Sequence, residues 1–112
     1  MTGAKKTGPT YPLSDVVRLA TVDGSRFVTA SATSDSAELL GIAERSEIFR
    51  IVASLKPSHF YKTMQATQSQ GLWQDVYLPT AAVPRFQGGV VLYCKVQINN
   101  SGALVVISFK PK

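Results

Sequence analysis

The C-terminal stretch "VVLYCKVQI", "NNSG", "ALVVISFK" limits the fold more than any other part of the chain. Two runs rich in β-branched and aromatic residues flank a short segment of turn formers, the pattern of an antiparallel hairpin. Side chains alternate between faces along a strand, so the pairing register decides which residues meet the core. If Ile98 stands opposite Ala103, one face carries Leu92, Cys94, Val96 and Ile98 with Ala103, Val105, Ile107 and Phe109. That face is wholly apolar. The other carries Val91, Tyr93, Lys95 and Gln97 with Leu104, Val106, Ser108 and Lys110. The apolar face must be covered. The other offers Tyr93, Lys95, Ser108 and Lys110 to solvent or to a ligand.

The cover has to come from the N-terminal half. "PLSDVVRLATVDG" reads as a short helix, with Ser14 as cap, Asp15 near its positive end and Gly24 after it. "RFVTAS" reads as a short strand and "SDSAELLGI" as a helical turn or two. In "SEIFRIVASLK", Ile48, Ile51, Val52 and Leu55 form one apolar stripe at helical spacing. Pro57 ends that helix and is expected to open another, "SHFYKTMQA", with Phe60 and Met64 on one face and His59 and Lys62 on a different one. "WQDVYLP" reads as a strand that groups Gln74 with Val76 and Leu78, away from Trp73, Asp75 and Tyr77. Asp75 is expected to fix backbone or a basic partner. "TAAVPRFQGG" reads as a loop. The fold class is therefore α+β, a twisted and largely antiparallel sheet with helices packed on one face. Residues 1–11 read as a flexible arm and 12–112 as a single domain.

Twelve Lys and Arg against seven Asp and Glu give a net charge of +5, which favours an anionic partner such as nucleic acid. No apolar run is long enough to span a membrane, and "MTGAKKTGPT" lacks the apolar core of a secretory signal. The lone Cys94 falls on the apolar strand face as a small core residue, and a cytoplasmic location is expected. With one His, one Cys, and neither CxxC nor HxxxH, no metal site and no cofactor are expected. No GxSxG elbow, Walker A or GxGxxG motif is present. The inventory that remains is Lys, Tyr and Gln facing an anion. RNA scission suits it, because RNA carries its own nucleophile in the 2′-hydroxyl. The protein then has to align sugar and phosphate and stabilise the charge that develops.

Four strings sharpen this reading. "FYKTM", "WQDVYLP", "YCKV" and the near-terminal "ALVVISFK" together resemble the MqsR family of motility quorum-sensing regulators, toxins of type II toxin–antitoxin pairs. The resemblance is close from Phe60 to Lys112, moderate in the helices before it and absent in the arm. It implies a RelE/YoeB-like fold and a metal-independent, sequence-selective mRNA endoribonuclease (an mRNA interferase that inhibits translation). It also implies a cognate antitoxin, MqsA-like and DNA-binding. The family's active-site lysine, expected on a helix, falls on Lys62. Its glutamine falls on Gln74, its tyrosine on Tyr93 and its C-terminal lysine on Lys110. Lys95 and Arg85 are expected to steer phosphate, and His59 is a candidate RNA contact or base. The chain departs from the family in the longer loop between Tyr77 and Val90, with its Pro84 and Arg85, in the extended "NNSG" turn, and in His59. The rival reading is a non-catalytic RNA-binding or regulatory module that acts mainly through an antitoxin complex.

Overall fold

The computed structural model describes residues 7–65 and 72–112. Its elements run α1 (Leu13–Leu19), β1 (Arg26–Val28), α2 (Ala30–Asp35) continuing into a π-helical turn (Ser36–Leu40), α3 (Arg45–Ala53), a 3-10 turn (Pro57–His59), β2 (Phe60–Gln65), β3 (Trp73–Tyr77), β4 (Thr80–Val83), β5 (Phe86–Ile98) and β6 (Leu104–Pro111). The fold is α+β. Among the described residues the sheet has the order β1-β6-β5-β3-β2, with β4 pairing the early part of β5. All pairings are antiparallel except β1 with β6.

The helices cover one face of this sheet. The stripe Ile48, Ile51, Val52 and Leu55 is buried as expected, joined by Phe49, Val16, Leu19 and Leu40. These pack on Tyr77, Leu92, Cys94, Val96, Leu104, Val106 and Phe109 from the strands. Each fully buried aliphatic side chain here contributes roughly 1.5–3 kcal/mol. Gly41 closes the π-turn at φ +79°, where a Cβ would stand 3.0 Å from the Pro84 side chain. Glycine is needed there both for the left-handed backbone and for the close approach of the β4–β5 turn.

Three local expectations give way. "SHFYKTMQA" is not a helix. Pro57 opens only one 3-10 turn, closed when His59 N–H donates to the Lys56 carbonyl, and residues 60–65 then extend as an edge strand against β3. Aromatic, β-branched and ladder contacts outweigh the weak i, i+4 pattern there. Ala66, the last residue of that expected helix, lies outside the described residues. "TAAVPRFQGG" is not a loop either; Thr80–Val83 and Phe86 onward form a hairpin that turns at Pro84–Arg85. α1 begins at Leu13 after Pro12, so Ser14 is inside the helix and does not cap it.

The hairpin forms, with a longer turn. Asn99 Oδ1 accepts the amides of Ser101 and Ala103 at 3.0 Å each, and Gly102 takes φ +81°. Ile98 therefore stands opposite Leu104, and the register shifts again between Lys95 and Val96, leaving Ile107 unpaired. The core face carries Leu92, Cys94 and Val96 with Leu104, Val106 and Phe109. Val105 and Ile107, expected on that face, move to the other one.

Asp75 is fully buried on the helix side and does fix backbone. Its carboxylate accepts the amides of Thr10 (3.0 Å) and Tyr11 (2.9 Å). Tyr11 Oη donates to the Trp73 carbonyl at 2.6 Å. The end of the stretch expected to be a loose arm is thus tied to β3. Replacing Asp75 with Asn turns one acceptor into a donor that faces an amide. The expected cost is about 1–3 kcal/mol, read by denaturant unfolding, with faster hydrogen exchange at the Thr10 and Tyr11 amides.

Nearby, burial pushes the Tyr77 hydroxyl up to about 12, and among the described residues Tyr77 Oη is the one buried side-chain polar atom without a partner. Tyr77→Phe is expected to stabilise the fold by about 1 kcal/mol, seen as a higher denaturant midpoint with an unchanged slope.

Candidate functional site

Strand alternation alone would not expose the lysines that the sequence singles out. Phe60 pairs with Tyr77 and packs edge-on against its ring, 5.6 Å between centroids, on the helix side. Lys62, two residues on, would share that face in a regular strand. A bulge intervenes: Lys62 pairs with Val76, and Tyr61 is the extra residue. The bulge turns Lys62 to the open face. The second irregularity does the same for β6. Leu104 and Val106 point into the core, whereas Ser108 and Lys110, after the unpaired Ile107, point the other way.

The open face then reads as rows across the strands. One row holds Lys62, Val76, Lys95 and Ser108. Beside it lie Tyr93 and Lys110, paired across β5 and β6. On the opposite side lie Met64, Gln74 and Gln97, with Gln74 Nε2 donating to Gln97 Oε1 at 3.2 Å. Lys62 and Lys95 stand two strand spacings apart, roughly 10 Å between backbones. Val76, between them, is fully buried yet lies outside the main core cluster.

Lys95 registers this crowding. Partial burial lowers its pKa first, and the charges of Lys110 and Lys62 lower it further. Lys110 Nζ lies 5.6 Å from the centre of the Tyr93 ring, and Lys62 Nζ lies 5.3 Å from that of Tyr61, itself half exposed. Both distances suit cation–π attraction. The structure thus brings together Lys62, Gln74, Tyr93, Lys95 and Lys110. Gln97 and Tyr61 belong to the same surface. Gln97 was legible in the alternation with Tyr93 and Lys95; Tyr61 was hidden by the helix expected over this stretch.

Two of the residues marked in the sequence stand apart. Arg85 lies in the β4–β5 turn, where its backbone N–H donates to the Leu40 carbonyl and its stem lies over Gly41. His59 ends the 3-10 turn, and its Nδ1 accepts the Lys56 amide at 3.0 Å. The His59 carbonyl accepts the Leu78 amide at the rim of the face.

A concavity of about 470 Å³ lies elsewhere, lined by Asp23, Arg26, Glu44, Arg45 and Phe49. Arg26 there is already engaged by Asp23, the Ala20 carbonyl and the Phe49 ring. Among the described residues no three of His, Cys, Asp and Glu gather to hold a metal, and no helix is long and apolar enough to cross a membrane.

The family model for the motility quorum-sensing regulator, toxin of MqsA, matches residues 8–111. The chain belongs to this family. The match takes in the tethered Thr10 and Tyr11 as well as all five residues of the cluster. As an MqsR-family member the chain is the toxin of a toxin–antitoxin pair, and an antitoxin is its partner. A search of the curated proteins finds no match. In this MqsR-type toxin the lysine at Lys62 sits on a strand, which corrects the helical placement expected for it.

The lowered pKa of Lys95 has a thermodynamic sign. The unfolded chain keeps this proton up to the ordinary lysine range, about 10.4, while the folded chain releases it earlier. Between the two values unfolding takes up a proton, so this group makes the fold more stable as pH rises through that window. Lys95→Met is therefore expected to gain most over the native chain near neutral pH. The gain should shrink on going from about pH 8 to about pH 11, as measured by denaturant unfolding of both proteins.

Proposed function

We propose that the open face binds single-stranded mRNA and cuts it at selected sequences, without a metal, by using the RNA's own 2′-hydroxyl. The observation that carries this reading is geometric: Lys62 and Lys95 share one row of the open face, and Tyr93 paired with Lys110 stands beside it. Such a cluster suits one phosphate better than a dispersed basic surface would.

In the reaction the 2′-oxygen attacks the adjacent phosphorus, and the bond from phosphorus to the 5′-oxygen breaks. One proton leaves the 2′-hydroxyl and another reaches the 5′-oxygen. The products are a 2′,3′-cyclic phosphate and a 5′-hydroxyl. Lys62 and Lys110 hold the phosphate and offset the charge that develops on its oxygens. Lys95, whose pKa is lowered by partial burial and then by the charges of Lys110 and Lys62, exchanges a proton or steers the phosphate. Tyr93 positions the phosphate or donates to it, and Gln74 orients a nucleotide. The antitoxin, MqsA-like on this reading, restrains the activity.

The test is incubation of antitoxin-free protein with a long mRNA in EDTA, with every new 5′ end mapped. Clustered cuts with 5′-hydroxyl ends are expected, reduced about 10²-fold or more in Lys62→Ala. Intact RNA that still shifts on a gel would instead favour the binding-module reading. Binding should weaken with salt, and each lysine-to-alanine change should flatten the log–log slope by about 0.7, the value for single strands.

A further inference from the structure

The row beside the lysines has a composition that phosphate binding does not explain. It runs from Phe27 on β1 through Val105 and Gln97 to Gln74 and Met64. Its centre is the pair of glutamines, each more than nine-tenths buried. Covering two amides this far is costly unless their polar atoms are used. Their mutual bond occupies one N–H of Gln74 and Oε1 of Gln97. Oε1 of Gln74 and the Nε2 group of Gln97 remain. Neither is among the buried unpartnered atoms, which for the described residues comprise Tyr77 Oη alone. Each of these atoms therefore keeps some contact with solvent. The bond restrains both side chains, one left with an acceptor and the other with a donor.

We propose that the Gln74–Gln97 pair is a base-reading subsite, which takes the edge of one RNA base next to the scissile phosphate. This rests on the nuclease reading above and adds the source of its selectivity. Each nucleobase edge carries adjacent hydrogen-bonding groups, and glutamine amides read such edges by donor and acceptor together. The row lies two residues along the strands from Lys62 and Lys95, about 7 Å, a distance one extended nucleotide spans. Further along the row, Phe27 is 47% exposed on its edge strand and gives a π-face for a neighbouring base. Because the amides are already bonded to each other, little side-chain freedom is lost when the base arrives.

Gln97→Glu isolates the idea. A carboxylate keeps the acceptor for Gln74 Nε2 but removes the donor offered to the base. Gln97→Met removes both groups at similar length, and it serves where the carboxylate disturbs the fold. Cut sites of the native chain and both variants are mapped on one long mRNA, with thermal unfolding measured alongside. The expected result is a change of about tenfold in base preference at one nucleotide position beside the cut, with the preferences elsewhere kept. Gln97→Glu should shift that position toward a base showing two donors. Unchanged sites in a folded variant, at whatever overall rate, would overturn the subsite and leave the nuclease reading standing. Intact RNA with the native chain would remove the nuclease reading and this subsite with it.

Discussion

The strict two-residue alternation of a β-strand is the constraint on which the rest of this molecule depends. It allows one face to be sealed by helices while the other stays open. It also conflicts with the sequence, because Lys62 shares parity with Phe60, which packs against the core, and Lys110 with the core residues Leu104 and Val106. Two bulges resolve the conflict by spending one unpaired residue each, Tyr61 and Ile107. The charged groups that would otherwise be driven into a dry interior emerge together beside Tyr93 and Lys95. Position on the sheet creates the candidate site.

The sheet that carries these groups is stiffened from behind. Asp75 has no ion-pair partner among the described residues, and its charge is balanced by two backbone amides from the N-terminal segment. A carboxylate bonded to main-chain N–H groups is a strong, short-range link. It holds β3, and β3 carries Gln74 and Val76 toward the opposite face. The odd pair at the start of "WQDVY" therefore has two separate explanations: the amide looks outward and the carboxylate fastens the strand from within.

Much of this was legible in the sequence. The α3 stripe, the buried Cys94, the hairpin, the outward Tyr93 and Lys95, and the grouping of Gln74 with Val76 all follow from periodicity. What failed, failed for local reasons. A bulge leaves no mark in a hydrophobicity pattern, so an unbroken register put Val105 and Ile107 inside and Leu104 and Val106 outside. Residues 60–64 have apolar positions compatible with either helix or strand, and only pairing with β3 decides. The β4–β5 hairpin was missed because Pro84 and the glycines speak for a turn without saying that strands flank it. Arg85 looked like part of the site through charge alone, and its place over Gly41 depends on a contact across the fold.

The bulges also change how relatives of this chain should be compared. In most proteins a one-residue gap in an alignment is a minor event at a loop. Here a gap at Tyr61 or Ile107 would be a change of phase, after which every residue up to the end of that strand trades inside for outside. Two family members could keep every lysine in the same order and still present different surfaces. Within β2 and β6, insertions or deletions would be tolerated in compensating pairs, and single ones would mark a chain whose working face has been rebuilt.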